Sequence, residues 1–268
     1  MGESAPDYSV ETWRVAPGSN RTIDITGVAS LRVGLLSGAV SVVGHDGADT
    51  RVEIEQVEQE DVHVTFDDGI LTINQPKQQW RDFFGTVGGM IRGRVASQVT
   101  VMLPRAAAVK IGTTSAEALV TGTSGGISVN TVSGEIQLND VRGSTDVNTA
   151  SGRIDIDGMD GSLDLRSVSG ELTLAGTGDR ISIETVSGDA LLDLTGDVRL
   201  VTLHSVSGDL TARVDAGIGL RADFNSLSGR HAIDGHSGKG SFDVSLDGQP
   251  VTKIACSTVS GDLTVVRR

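Results

Sequence analysis

The chain reads as an all-β protein, a single-stranded β-helix or β-solenoid with rungs of about 18–21 residues and a right-handed coil. Three observations carry that reading. A short phrase, hydroxyl-apolar-Ser-Gly, recurs as Thr131-Val132-Ser133-Gly134, Thr149-Ala150-Ser151-Gly152, Ser167-Val168-Ser169-Gly170 and Thr185-Val186-Ser187-Gly188. Further copies are Ser205-Val206-Ser207-Gly208, Ser226-Leu227-Ser228-Gly229 and Thr258-Val259-Ser260-Gly261, with Thr113-Thr114-Ser115-Ala116 as a first copy lacking the glycine. The phrase serine advances in steps of 18 from Ser115 to Ser187, then in steps of 20, 21 and 32. Between phrases, apolar residues alternate with polar ones, as at Ile136 and Leu138 or Ile154 and Ile156, which is the period of a strand. Aromatic residues make up 3% of the chain and there are 35 glycines, so the interior must be stacked aliphatic side chains joined by tight turns.

Each element follows from this unit. Within the rung that starts at Thr131, one strand runs through Ile136 and Leu138, Asn139-Asp140 make a turn, and a second alternation closes the unit. Later rungs close with Leu163 and Leu165, Ile181 and Ile183, or Val198 and Leu200. Equal side-chain types at equal spacing favour parallel stacking of each strand on its own copy over hairpins, with rungs about 4.8 Å apart. The glycine after the serine is expected where the strand bends, at a position whose parity points inward. Leu35-Leu36-Ser37-Gly38 matches the phrase without its first hydroxyl, so the array begins near residue 20. Val62-His63-Val64, Leu71-Thr72-Ile73 and Val99–Leu103 supply lead-in strands. The expected organisation is a lead-in over 1–19 and one solenoid domain over 20–268, with insertions near 76–98 and 230–257. The last rung, 260–268, is expected to end the stack uncapped, with Arg267 and Arg268 guarding its edge.

The Ser-Gly turns, and a Leu103-Pro104 junction leading into Val109-Lys110-Ile111, resemble the bacterial putative-adhesin family of β-strand-repeat proteins. That resemblance implies a single-stranded β-helix. The family's label speaks of adhesion.

Composition narrows the function. A net charge of −13 argues against nucleic acid, whose affinity rests on counterion release by Lys and Arg. Cys256 is the lone cysteine, which leaves no intramolecular disulfide and no cysteine metal cluster. The start, Met1 to Asp7, has no basic leader and no apolar run of secretory length, so the expected location is the cytoplasm, free or peripheral at the inner membrane face.

Several motifs offer chemistry, each with a plainer reading. Gly122-Thr123-Ser124-Gly125-Gly126 fits the nucleophile-elbow string, but no helical pattern follows it, so a repeat turn is expected. Asp155, Asp157 and Asp160 gather around a turn without an EF-hand frame, and His231 and His236 lack further zinc ligands at a recognisable spacing. No metal or cofactor is expected. Acidic residues at the fifth position of the unit (Glu117, Glu135, Glu171, Asp189, Asp209, Asp262) predict a column broken by Arg153 and Arg230, serving ion pairs within the array. The phrase hydroxyls predict either a flat Thr-x-Ser face around an inward Val, or caps that satisfy backbone groups at the turn; the capping role is the simpler.

Residues 77–98 stand apart. Trp80, Phe83, Phe84, Val87, Ile91 and Val95 recur near a helical period, with Lys77, Arg81, Arg92 and Arg94 among them. Glycines at 85, 88, 89 and 93 make a helix costly, at about 1 kcal/mol each. Trp80, Arg81, Phe83, Phe84, Arg92 and Arg94 are the candidate membrane or partner contact, or else a flap on the solenoid. The sequence therefore predicts a non-enzymatic scaffold or interaction protein of adhesin-like type that associates with itself through solenoid edges, with a protein partner, or with a membrane surface. A surface adhesin and a β-helix polysaccharide lyase or hydrolase are the alternatives; the few aromatics weigh against the enzyme.

Overall fold

A computed structural model describes residues 10–58, 60–75 and 97–268. Among these, every regular element is a strand, and the architecture is a β-solenoid with two broad sheets facing each other across one core. The central part is parallel. The strand Ser30–His45 lies along Ala108–Thr121, with Val33 opposite Ile111 and Val42 opposite Val120. Ile127–Ser133 and Ile136–Asn139 form the next rung, one strand in each sheet, joined by the phrase Thr131-Val132-Ser133-Gly134. Ile136 faces Ala118 on one side and Ile154 on the other, so a residue stacks on its equivalent 18 positions away. The strand Arg142–Ser187 then coils on through successive rungs.

Alternation explains the core. In the first sheet Val33, Ile111, Val129 and Val147 form one inward column, and Ile183, Leu203, Cys256 and Phe224 continue it. In the second, Val120, Leu138 and Ile156 are continued by Leu192, Ala212 and Val265. All are buried, and burial of each aliphatic side chain contributes about 1.5–3 kcal/mol. A one-residue slip would turn a whole column to water, so the ladder also fixes the register.

The two ends are built differently, from antiparallel strands. At the start, Glu11–Val15 runs against Val62–Asp67, which pairs with Ile70–Asn74. In the other sheet Arg21–Thr26 runs against Asp49–Glu55, and that strand against Ser97–Pro104. Ile70–Asn74 and Ser97–Pro104 lie parallel to the two halves of Ser30–His45, so together they form one rung whose corner is interrupted by residues 76–96. Buried Gln75 and Ser97 join the ends of that interruption: Gln75 Nε2 donates to Ser97 Oγ at 3.2 Å, and Gln75 Oε1 accepts from the Leu36 N–H at 3.0 Å.

The C-terminal rung overturns one expectation. Val251–Thr258 lies between Leu200–Ser207 and Gly219–Ser226, parallel to both. Leu263–Arg267 likewise lies between Leu210–Val214 and Arg230–Ile233. The last rung in sequence is thus internal in space, and 260–268 is not an uncapped end. Arg267 and Arg268 do not guard an edge: Arg267 pairs with Asp234, and Arg268 with Asp193. The stack is closed instead by Phe242–Leu246, antiparallel on Gly219–Ser226, and by the hairpin of Arg230–Ile233 with His236–Lys239. Residues 230–257 therefore hold both this closing layer and the first half of the inserted rung.

Candidate functional site

The repeated phrase forms the same corner of successive rungs, and each of its four positions has a separate task. The first hydroxyl continues the inward alternation of the preceding strand: Thr113, Thr131 and Thr149 are buried. Thr113 Oγ1 donates to Thr131 Oγ1 at 2.9 Å, and the Thr131 and Thr149 hydroxyls donate to the Ser133 and Ser151 carbonyls at 3.0 Å. The third-position serines reach back one rung. Ser133 donates to the Thr114 carbonyl, Ser169 to that of Ala150 and Ser228 to that of Val259, at 3.3–3.4 Å. The bonds to carbonyls are the backbone-satisfying roles expected of corner hydroxyls, whereas the first-position hydroxyls of Ser167, Thr185 and Ser205 are buried without a hydrogen-bond partner.

The glycine is required by close approach along the stacking axis, not by an inward direction. A Cβ on Gly152, at φ +138°, would stand 2.1 Å from the Gly134 carbonyl oxygen. The flat Thr-x-Ser face does not form, because the second position points outward. Val168 is 54% exposed, Val186 and Val206 49%, Val259 45% and Leu227 83%. In spatial order Val132, Ala150, Val168, Val186, Val206, Val259 and Leu227 make an apolar ridge along the corner. Seven rungs at about 4.8 Å give it a length of about 30 Å.

Beside the ridge, across the Ser-Gly turn, runs the acidic column. The structure shows why it is tolerated. Asp189 Oδ1 accepts the Asp209 N–H at 2.9 Å, Asp209 Oδ1 accepts that of Asp262 at 2.8 Å, and Asp262 Oδ1 accepts that of Arg230 at 2.7 Å. Each of these three carboxylates is held by the backbone of the next rung, so this stretch of the column is a ladder and not a row of bare like charges. Arg230 ends it, with its Nε 3.2 Å from Asp262 Oδ2, and Arg153 pairs with Glu171 at 3.3 Å. The Arg230 backbone N–H is the main cause that lowers the Asp262 carboxyl from its ordinary value; burial opposes it, and the Arg230 guanidinium adds a smaller lowering.

The other sequence candidates are dispersed. Ser124 lies in the turn between Ala108–Thr121 and Ile127–Ser133, its N–H donating to the Arg105 carbonyl. His231 is buried and stacks on Phe242 at 4.3 Å, with Phe224 edge-on at 6.1 Å, so it packs in the closing layer. No group of three or more metal-ligating side chains occurs among the described residues. Trp80, Arg81, Phe83, Phe84, Arg92 and Arg94 lie outside the described residues. No helix among the described residues is long and apolar enough to cross a membrane.

Parity counted back from Ile136 sends Val132 inward, and the structure turns it outward. The signal was present in the other strand. Ile127, Val129 and Thr131 are inward at odd positions and Ile136 and Leu138 at even ones, so the phase flips at the corner and Val132 must follow the first strand outward.

A crystal structure of a "putative lipid binding protein" from Parabacteroides distasonis shares the fold at TM-score 0.52 and 15% identity, covering 93% of this chain and 98% of that one. A "putative adhesin" from Bacteroides fragilis matches at TM-score 0.42 and 12% identity over 93% and 98% of the two chains. A second "putative adhesin", from Parabacteroides distasonis, matches at TM-score 0.42 and 15% identity with the same coverage. No curated protein matches the chain. The family model described as Toastrack DUF4097 matches residues 28–266. The resemblance carried by the Ser-Gly phrase thus holds across nearly the whole chain, which belongs to the Toastrack DUF4097 family.

Proposed function

We propose that the chain is a non-enzymatic interaction module whose corner ridge takes a partner polypeptide presenting an apolar strip flanked by Lys or Arg. The observation that carries this is the ridge itself. Exposed aliphatic side chains are ordinarily scattered, whereas here they are aligned on successive rungs at a fixed spacing. The acidic ladder beside them sets the charge of the complementary surface. The same acidity works against two copies meeting ridge to ridge, so the proposal assigns association of copies to the outermost strands, His236–Lys239 and Phe242–Leu246.

The test uses fluorescent peptides of alternating Leu-Lys and alternating Leu-Glu with the full chain. The Leu-Lys peptide should bind and the Leu-Glu peptide should not. Val186→Asp with Val206→Asp should weaken binding by about tenfold or more, since each buried valine contributes on the order of 1.5 kcal/mol. Equal binding of both peptides, or of wild type and variant, would overturn the proposal.

A further inference from the structure

The outer face of the first sheet carries a feature unrelated to the ridge. Arg32 and Lys110 occupy paired positions on adjacent parallel strands, Ser30–His45 and Ala108–Thr121. Both are exposed, and among the described residues neither has an ion pair or hydrogen bond. Their cross-strand neighbours are neutral: Thr72 beside Arg32 and Ser128 beside Lys110. Two residues along the same strands stand Gly34 and Gly112, also paired. With no side chains at those positions the sheet surface is notched, and Arg32, Lys110, Thr72, Asn74 and the two glycines line a depression of about 370 Å³.

Like charges directly opposite on neighbouring strands destabilise a sheet. In a chain of 35 acidic side chains and net charge −13, neutralising this pair would need one carboxylate at position 72 or 128. The comparison within the molecule is Arg221 and Lys253, likewise paired across strands, which have Asp223 on the same face two residues away. The Arg32–Lys110 pair has no such carboxylate among its register neighbours. We propose that the notch binds a tetrahedral phosphate-type oxyanion. The guanidinium and the ammonium, carried on strands about 4.8 Å apart, straddle one anion, Thr72 and Asn74 donate further hydrogen bonds, and the glycines let the group sit close to the sheet. The shared chemistry is a phosphoryl group, whether on a soluble compound or on a lipid headgroup.

The experiment titrates the full chain with inorganic phosphate at constant ionic strength, following binding by calorimetry, and in parallel sediments it with phosphatidylcholine vesicles with and without phosphatidylglycerol. Arg32→Gln with Lys110→Gln should weaken phosphate binding about tenfold, while Arg221→Gln with Lys253→Gln leaves it unchanged. The Lys110→Gln single variant should melt no lower than wild type, and higher without phosphate, because a like-charge contact is removed. That separates loss of binding from loss of folding. Binding of phosphate alone assigns the notch to a soluble phosphoryl compound; binding of the phosphatidylglycerol vesicles as well, with the same variant sensitivity, assigns it to a headgroup. Failure of both probes, or equal loss in the Arg221/Lys253 variant, overturns the site.

Discussion

A single residue in this array is judged by what lies one rung away. Gly152 and Gly126 are both glycines of the repeat, yet only the first has a carbonyl oxygen where its Cβ would be; at Gly126 the nearest atom is Ser144 Oγ at 3.7 Å. Gly152→Ala should therefore cost about 3 kcal/mol or more, from overpacking and from a left-handed backbone. Gly126→Ala should stay within about 0.5 kcal/mol, as surface changes do. Denaturant melts of the two variants check the contrast, and equal effects would remove the stacking explanation. Cys256 is set by burial in the same way. Desolvation pushes its thiol up to about 12 from an ordinary value of about 9, so the folded chain keeps the proton that the unfolded chain releases. The sign follows: this contribution is complete below pH 9 and is lost as the pH rises toward 12. Against Cys256→Val as reference, wild type should lose stability over that alkaline interval. Labelling by a thiol reagent at neutral pH should await unfolding.

At the scale of the element, the parallel rungs were legible because every strand repeats its neighbour's pattern, and the register pairing Leu35 with Thr113 and Ser37 with Ser115 follows the phrase itself. The antiparallel ends were not legible, since a strand such as Glu11–Val15 or Phe242–Leu246 has no copy elsewhere to match. Their partners are chosen by what must be covered. At the C-terminal end Phe224, with 0% exposure, His231 and Phe242 form one stacked cluster under the closing strands. Gly238 lies against that imidazole, where an added Cβ would come within 2.9 Å of His231 Cε1. Few aromatics occur in the chain, and here they fill the place where the aliphatic ladder has no next rung. Phe224→Ala should cost about 3–5 kcal/mol and Phe242→Ala, only partly buried, about 2 kcal/mol. Proteolysis at 236–250 should accelerate in both. Unchanged cleavage there would mean that the closing layer is held by its backbone pairing and not by the cluster.

For the whole molecule, the order of rungs in space departs from their order in sequence, and periodicity could not reveal that. The 32-residue step from Ser228 to Ser260 looked like an insertion within a rung, whereas it is the length of chain needed to build a rung, fold back over it and return beneath it. What draws the last rung inward is the closing layer: once Phe242–Leu246 covers Gly219–Ser226 from outside, the position with two parallel partners lies on the inner side. Thr252 Oγ1, donating to the Val198 carbonyl at 2.7 Å, the Arg267–Asp234 pair and the Arg268–Asp193 pair tie that rung to chain on both sides. Stability in a stack is a sum of rungs and their interfaces, so removing an internal rung deletes two interfaces and removing a terminal one deletes a single interface. Deleting 251–268 should therefore strip hydrogen-exchange protection from 219–246 as well, although those residues remain in the chain. Protection of 30–187 should persist, because its neighbours on both sides are untouched. Full protection of 219–226 in the truncated chain would place the last rung at the end of the stack, contrary to the pairing described above.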